Sequence, residues 1–211
     1  LSSLGVITTA LLTGLFCHFV LGLDMLEGML IGSIVGSTDY ASVSNILRSK
    51  NLNLKYNSAS LLELESGSND PTAYTMTMVM LSIVMGSKVS IPVLIISQIA
   101  LGLGMGFAIA FAMGKLIKII KLESEGLYAV FMAAAMLITY AATALIGGNG
   151  YLALYVLGIY LGNKQFFGKR EVVFFFDGFS QIMQIGLFFI LGLLSNASQF
   201  IKALPIATAI M

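Results

Sequence analysis

The chain consists mainly of long apolar stretches separated by short polar segments. A helix needs about 20 residues to cross the hydrocarbon core of a bilayer, and most of these stretches reach that length. They lack the strict apolar–polar alternation of a barrel strand, so each predicts a membrane-spanning helix. The predicted spans are Ser3–Leu23, Met25–Leu47, Ser58–Met85, Val89–Ile119, Leu127–Ile146, Tyr151–Gly162 and Phe175–Ser195, and an eighth begins near Ala203.

The composition points to the same environment. Hydrophobic residues make up 58% of the 211 residues and charged residues 10%, with a mean hydropathy of +0.95. A soluble domain carries about 25% charged residues, so an ordinary soluble fold is excluded. We therefore expect an all-α fold, a polytopic transmembrane helical bundle that forms a single transmembrane domain over residues 1–211.

The positive charges predict an orientation. Nine of the 11 Lys and Arg residues fall in three alternate loops, 48–57, 115–121 and 164–170. Cytoplasmic loops carry an excess of Lys and Arg, so we expect these three loops on the cytoplasmic side of a multi-pass protein in the cell inner (plasma) membrane. The net charge of +1 gives no indication of a nucleic-acid partner.

The two ends of the chain lie in apolar sequence. The chain begins at Leu1 rather than at Met, and it stops at Met211 about halfway through the run that starts near Ala203. We expect a fragment of a longer transmembrane domain, truncated at both ends, with about seven spans and the start of an eighth.

Two carboxylates lie in the middle of predicted spans. Asp39 is a little past the middle of the second span, and Asp70 is near the middle of the third. A charged group at that depth costs about 2.5 to 3.5 kcal/mol on insertion scales, so such residues commonly serve function. The two spans are antiparallel neighbours joined by a short basic loop, which predicts that both carboxylates meet at similar depth.

Other oxygen-bearing side chains share the third span with Asp70. Ser66 and Asp70 are four residues apart and therefore share a helix face, and Glu65 and Asn69 share the adjoining face. Carboxylate, amide, hydroxyl and backbone carbonyl oxygens are suitable ligands for a hard monovalent cation. For Glu65 we favour one half of a buried ion pair, because an unpaired buried charge is unstable.

Both spans contain residues that interrupt a helix. Pro71 has no N–H, so the Gly67 carbonyl loses its helical partner. Small residues cluster just before the carboxylate of the second span, where local unwinding would expose further carbonyls; they are Gly32, Gly36, Ser37 and Thr38. Broken helices at the midplane are a common way for transporters to build ion sites, which favours transport.

The sequence leaves the role of Asp39 open between two alternatives. Asp39 is either a cap on the broken helix, together with Thr38, or a direct ion ligand.

Two other functions are alternatives to transport. An intramembrane aspartyl protease using Asp39 and Asp70 is the alternative, although the preceding residues, Thr38 and Asn69, do not fit such enzymes. A cation channel would hold ions more weakly than a buried carboxylate does. We expect a transporter rather than an enzyme, without a cofactor and without a metal beyond the transported cation.

At these residues the chain resembles the monovalent cation/proton antiporters, the electroneutral sodium/proton and potassium/proton exchangers. The segment Gly36–Asp39 resembles the Thr-Asp element of the family, and Glu65–Pro71 resembles its Glu-Ser-x-x-Asn-Asp signature. Later segments, 148–153 and 158–163, are similar to the following helix of the family. One departure is Tyr40, where many relatives have Pro.

The resemblance implies a fold with discontinuous helices and part of an inverted repeat, and it implies a role for each residue of the two elements. Asp70 would bind either the cation or the proton, and Asn69 would mark the electroneutral branch. The Ser66 side chain and the Thr38 backbone would help to coordinate the ion.

The same resemblance implies supporting groups and partners. Asp39 would support the unwound helix, and Glu65 would pair with an Arg beyond Met211. The implied partners are protons and K+ or Na+, the lipid bilayer, and a second copy of the chain in a homodimer. The sequence does not distinguish K+ from Na+.

Overall fold

The computed structural model describes residues 2–40, 43–44, 47, 50, 52, 54–87, 89–120, 122, 124–195, 204 and 207–208. Within this part of the chain it has seven α-helices and no strand, which confirms the all-α prediction. The helices are α1 (Ser2–Phe19), α2 (Met25–Val35), α3 (Ser58–Val84), α4 (Ile91–Ile119), α5 (Glu125–Leu145), α6 (Gly150–Gly162) and α7 (Lys169–Leu194), and a 3₁₀ turn (Lys55–Asn57) precedes α3.

Most helix bounds lie within a few residues of the predicted spans. Four helices are long and apolar enough to cross a membrane by length and composition: α1, α4, α5 from Gly126, and α7. Helix α3 has 27 residues, but its acidic and polar residues lower its hydropathy. Helices α2 and α6 are shorter and apolar. The predicted eighth span and the basic residues Arg48, Lys88, Lys121 and Lys202 lie outside the described residues.

The second predicted span is broken, as the small residues predicted. Asp24 begins α2 as its N-cap, with the side chain accepting a hydrogen bond from the Leu26 N–H at 3.1 Å. The helix ends at Gly36, whose N–H donates to the Gly32 carbonyl at 2.9 Å. Residues 37–39 are not helical, and helical backbone resumes at Tyr40. The break is therefore present although this chain has Tyr40 where the resemblance noted Pro in many relatives.

The third predicted span is not broken, contrary to the expectation drawn from Pro71. Helix α3 runs without interruption from Ser58 to Val84 with Pro71 inside it. Proline removes one N–H donor, but its fixed φ of about −65° is itself helical, so the backbone continues through it. The discontinuity predicted for this pair of spans is therefore confined to the second one.

The last long helix begins earlier than the apolar pattern predicted. The predicted span started at Phe175, whereas α7 starts at Lys169, so this basic residue belongs to a helix rather than to a loop. Gly168 precedes the helix with φ of +74°, a conformation that favours glycine. The Lys169 ammonium donates to the Gly162 carbonyl at 2.6 Å, at the C-terminal end of α6.

The Cα packing divides the chain into two compact units, one of Leu1–Phe107 with Thr139–Val156 and one of Ala108–Ile138 with Leu157–Met211. In the first unit, α1, α2 and α3 pack against one another. Glycines allow this close approach: a Cβ added to Gly32 would lie 2.5 Å from the Ala10 carbonyl oxygen of α1.

Glycines also mediate the packing of α4 against α6 in the first unit. A Cβ on Gly102 would lie 2.9 Å from the Asn149 carbonyl oxygen, and one on Gly106 would lie 3.0 Å from the Ala153 Cα. No atom of the described residues lies within 4 Å of such a Cβ on Gly104. Two glycines of the run 102–106 therefore serve helix packing. In the second unit, Gly114 has the same role against the Tyr160 ring.

Candidate ion-binding site

The candidate site lies in the first unit, where the break after α2 meets the middle of α3. The break exposes backbone groups of Ser37, Thr38 and Asp39, and α3 places a cluster of polar side chains opposite them. The six residues predicted from sequence all belong to these two segments. They are Thr38, Asp39, Glu65, Ser66, Asn69 and Asp70.

Ser66 connects α3 to both ends of the break. Its hydroxyl donates to the Thr38 carbonyl at 2.7 Å and accepts from the Tyr40 N–H at 3.1 Å. These are backbone groups that a continuous helix would have paired internally. The Ser66 side chain and the Thr38 backbone therefore lie next to each other.

Asn69 and Glu65 form a second set of contacts with the break. Asn69 is fully buried, and its amide donates to the Thr38 hydroxyl and to the Glu65 carboxylate, the latter at 3.3 Å. The Thr38 hydroxyl in turn donates to the other Glu65 oxygen at 3.1 Å. Both carboxylate oxygens of Glu65 thus accept hydrogen bonds within the site, and the predicted Arg partner has no candidate in the described part of the chain.

Asp70 presents its carboxylate on an exposed side of the site. One oxygen, Oδ1, accepts a hydrogen bond from the Ser37 hydroxyl at 2.6 Å. The Ser37 hydroxyl also lies 3.3 Å from the Asn69 side-chain oxygen, but the shorter contact is with Asp70. Within the described residues the second oxygen of Asp70 has no hydrogen-bond donor.

Ser37 is the site residue that sequence reasoning missed. From the sequence, Ser37 was interpreted only as one of several small residues that permit unwinding. The sequence feature that could have identified Ser37 is its position next to the Thr-Asp pair, since this position places its hydroxyl in the same break. A contact across 33 residues, however, depends on how α2 and α3 cross, and the sequence alone does not contain that geometry.

The electrostatics of the site favour a cation. Asp39 and Glu65 both lie close enough to Asp70 for their charges to repel it. Like charges near one another raise the free energy of the fully ionised site, and a cation or a proton on Asp70 lowers it.

The candidate ligand atoms of the site are all oxygens. Carboxylate, amide, hydroxyl and backbone carbonyl oxygens converge between the break and α3. Among the described residues, no three His, Cys, Asp or Glu side chains are grouped so that they could hold a resident metal ion. Oxygen ligands of this kind suit hard cations rather than soft transition metals.

Comparison with known proteins gives the class of membrane protein to which this architecture belongs. The model of the family described as "Sodium/hydrogen exchanger, transmembrane" matches residues 1–211. The chain belongs to this family of multi-pass membrane antiporters, as its two motifs had indicated.

Individual relatives support the assignment. The chain is 36% identical over 206 residues to a protein of Shewanella sp. (strain ANA-3) named K(+)/H(+) antiporter NhaP2, covering 95% of this chain and 35% of the relative. It is 34% identical over 213 residues to the K(+)/H(+) antiporter NhaP of Alkalimonas amylolytica, covering 100% of this chain and 37% of that protein. It is 29% identical over 209 residues to the Probable Na(+)/H(+) antiporter 2 of Methanocaldococcus jannaschii, covering 91% of this chain and 48% of the relative. The chain thus spans about a third to a half of the length of these relatives.

Proposed function

We propose that the protein containing this chain is a secondary active transporter that exchanges a monovalent cation, K+ or Na+, for protons. Asp70 alternately binds the cation and the proton. Thr38, Ser66 and Asn69 supply further oxygens, Asp39 supports the broken segment, and Glu65 belongs to the supporting charge network.

The observation that carries this proposal is the meeting of Asp70 with a helix break. The Ser37 hydroxyl contacts the Asp70 carboxylate at 2.6 Å, and the Thr38 carbonyl faces α3 2.7 Å from the Ser66 hydroxyl. The unwound segment therefore places a hydroxyl on the Asp70 carboxylate and a backbone carbonyl on the neighbouring Ser66. Family membership, together with relatives named as K+/H+ or Na+/H+ antiporters, favours exchange over proteolysis.

The exchange follows from competition for one charge. A cation and a proton each neutralise Asp70, and they exclude one another from it. The empty ionised site is too costly to move past an apolar barrier, so the transporter changes its access only when one of the two is bound. The cation and the proton are thereby carried across the membrane in opposite directions.

The proposal extends to orientation and assembly. The basic segments 48–57, 115–121 and 164–170 face the cytoplasm of the inner (plasma) membrane, because most of the basic residues lie there. Parts of the second and third segments belong to the end of α4 and the start of α7 rather than to loops. The protein forms a homodimer. Labelling of single cysteines introduced in the 164–170 segment, from either side of right-side-out vesicles, tests the orientation.

The test of transport uses the full-length protein in vesicles that contain a pH-sensitive dye. The wild-type protein is expected to dissipate a proton gradient when K+ or Na+ is added, and Asp70→Asn is expected to abolish that signal. The matched control is Asp24→Asn, since Asn is as good an N-cap as Asp and Asp24 lies at the start of α2, away from the site. Full exchange by Asp70→Asn, or loss of exchange in both variants alike, would overturn the assignment of Asp70.

A further inference from the structure

Asn149 is a fully buried polar residue outside the cluster that binds the ion. It lies between α5 and α6 with 1% of its surface exposed. The chain reaches it through a tight turn, in which Gly147 has φ of +81° and the Gly148 N–H donates to the Thr143 carbonyl at 2.9 Å. A buried amide at membrane depth is costly unless its donors and acceptor are all paired.

One part of Asn149 serves local structure. Its side-chain oxygen accepts from the Leu152 N–H at 3.0 Å, which makes Asn149 the N-cap of α6. Its own N–H donates to the Gln98 carbonyl of α4 at 3.0 Å. These two bonds fix the residue at the start of α6 and against α4.

The side-chain nitrogen of Asn149 has a different target. It donates to the Pro71 carbonyl at 2.8 Å and to the Thr75 hydroxyl at 3.0 Å, both in α3 and more than 70 residues away along the chain. Pro71 directly follows Asp70. The two acceptors lie only 2.8 Å apart, so the Asn149 amide reaches both of them from one side.

We propose that Asn149 is a positioning residue for Asp70. It does not touch the ion. It holds the Pro71 carbonyl, and with it the turn of α3 that carries Asp70, against the fixed start of α6. This inference rests on the proposed exchange function and concerns how the ion site is held at its depth.

The local chemistry explains why such a residue is needed. Because Pro71 has no N–H, α3 lacks one internal hydrogen bond at this turn and bends there more easily than elsewhere. Small displacements matter, because Asp70 has to remain within reach of Ser37 in the neighbouring segment. Thr75 takes part as well, since its hydroxyl donates to the same Pro71 carbonyl at 2.8 Å.

The experiment compares Asn149→Ala and Thr75→Val with a matched control, Thr77→Val, in the full-length protein. Thr77 makes the same kind of backbone bond, to the Ala73 carbonyl at 2.8 Å in the same helix, without any contact to Asn149 in the described structure. KM and maximum rate of exchange are measured for K+ and for Na+ in proteoliposomes, per amount of reconstituted protein.

A neutral hydrogen bond corresponds to roughly a 2- to 13-fold change in an equilibrium constant. We expect KM for the transported cation to rise about tenfold in Asn149→Ala and about threefold in Thr75→Val, with a smaller change in maximum rate. The ratio of the two KM values, for K+ and Na+, should shift as well. Thr77→Val should stay within about 1.5-fold of wild type.

The outcomes separate positioning from mere structure. Thr75→Val leaves the cap on α6 intact, so it keeps the test valid even if Asn149→Ala fails to fold. Wild-type KM in Thr75→Val, or an equal rise in Thr77→Val, would overturn the role of Asn149. A wild-type protein that exchanges neither cation would instead overturn the proposed function, which distinguishes the two failures.

Discussion

Replacement of Gly32 by Ala tests how the packing of α1 on α2 supports the site. A Cβ at this position would lie 2.5 Å from the Ala10 carbonyl oxygen and 2.9 Å from the Ala10 Cα. Both atoms belong to the backbone of α1, so no side-chain rotation relieves the contact. Since real Cβ atoms essentially never approach closer than 3.0 Å, the two helices must separate by about 0.5 Å.

Two opposing effects determine the size of the change. Overpacking of this kind costs about 1 to 3 kcal/mol. Ala instead of Gly in a helix interior stabilises by up to about 1 kcal/mol. Gly104→Ala serves as the control, because Gly104 also lies inside a helix and no described atom would contact its Cβ. Gly104→Ala should therefore show the helix-propensity gain alone, and the difference between the variants isolates the clash.

The assay is thermal unfolding of the purified full-length protein in detergent, combined with exchange in proteoliposomes. Gly32→Ala should be less stable than Gly104→Ala by about 1 to 3 kcal/mol, the full cost of overpacking. It should also exchange more slowly, because α2 leads directly into the break at Ser37. Equal stability of the two variants would refute the packing argument, and a destabilised Gly32→Ala with unchanged exchange would refute its connection to the site.

Two further substitutions address the break and the continuous helix opposite it. Ser37→Ala removes the hydroxyl that donates to Asp70, and because a hydrogen bond to a charged group contributes about 1.5 to 3 kcal/mol, KM for the cation should rise at least about tenfold. Its control is Ser33→Ala, which loses only a bond to the Met29 carbonyl within α2, and similar KM values in the two would exclude a role for Ser37. Pro71→Ala restores an N–H inside α3, so thermal stability should rise by up to about 3 kcal/mol while the maximum exchange rate falls. An unchanged rate in a stabilised Pro71→Ala would show that bending at this residue plays no part in transport.

The helices could be predicted closely from the apolar runs. The run Ser58–Met85 corresponds to α3 at Ser58–Val84, and the run Val89–Ile119 corresponds to α4 at Ile91–Ile119. The prediction was wrong for the start of α7, since hydrophobicity locates the part of a helix that lies in lipid. Hydrophobicity does not detect a charged turn at the end of a helix, such as the one that begins at Lys169.

The site was predictable only where its residues are close together in sequence. The spacing of Ser66, Asn69 and Asp70 placed their oxygens on neighbouring faces of one helix, and the structure has them there. The contacts of Ser37 with Asp70 and of Asn149 with Pro71 join residues far apart in the chain. Such pairs follow from helix crossing angles and from the close approach at glycines, neither of which has a local signature.

Neighbouring side chains support the break at residues 37–39 and the continuous helical turn at Pro71 in different ways. The break at residues 37–39 is stabilised by Ser66, which pairs with the Thr38 carbonyl on one side and the Tyr40 N–H on the other. An unsatisfied backbone group in the hydrocarbon core costs several kcal/mol, so an unwound segment at that depth needs such partners. At Pro71 the backbone stays helical and only one donor is missing, and the buried amide of Asn149 donates to the Pro71 carbonyl of the same turn. One polar side chain from a neighbouring helix thus supports each defect, and both defects border Asp70. Asp70 therefore lies between an unwound segment and a helical turn that lacks one internal hydrogen bond, and each of them is supported by a side chain from another part of the chain.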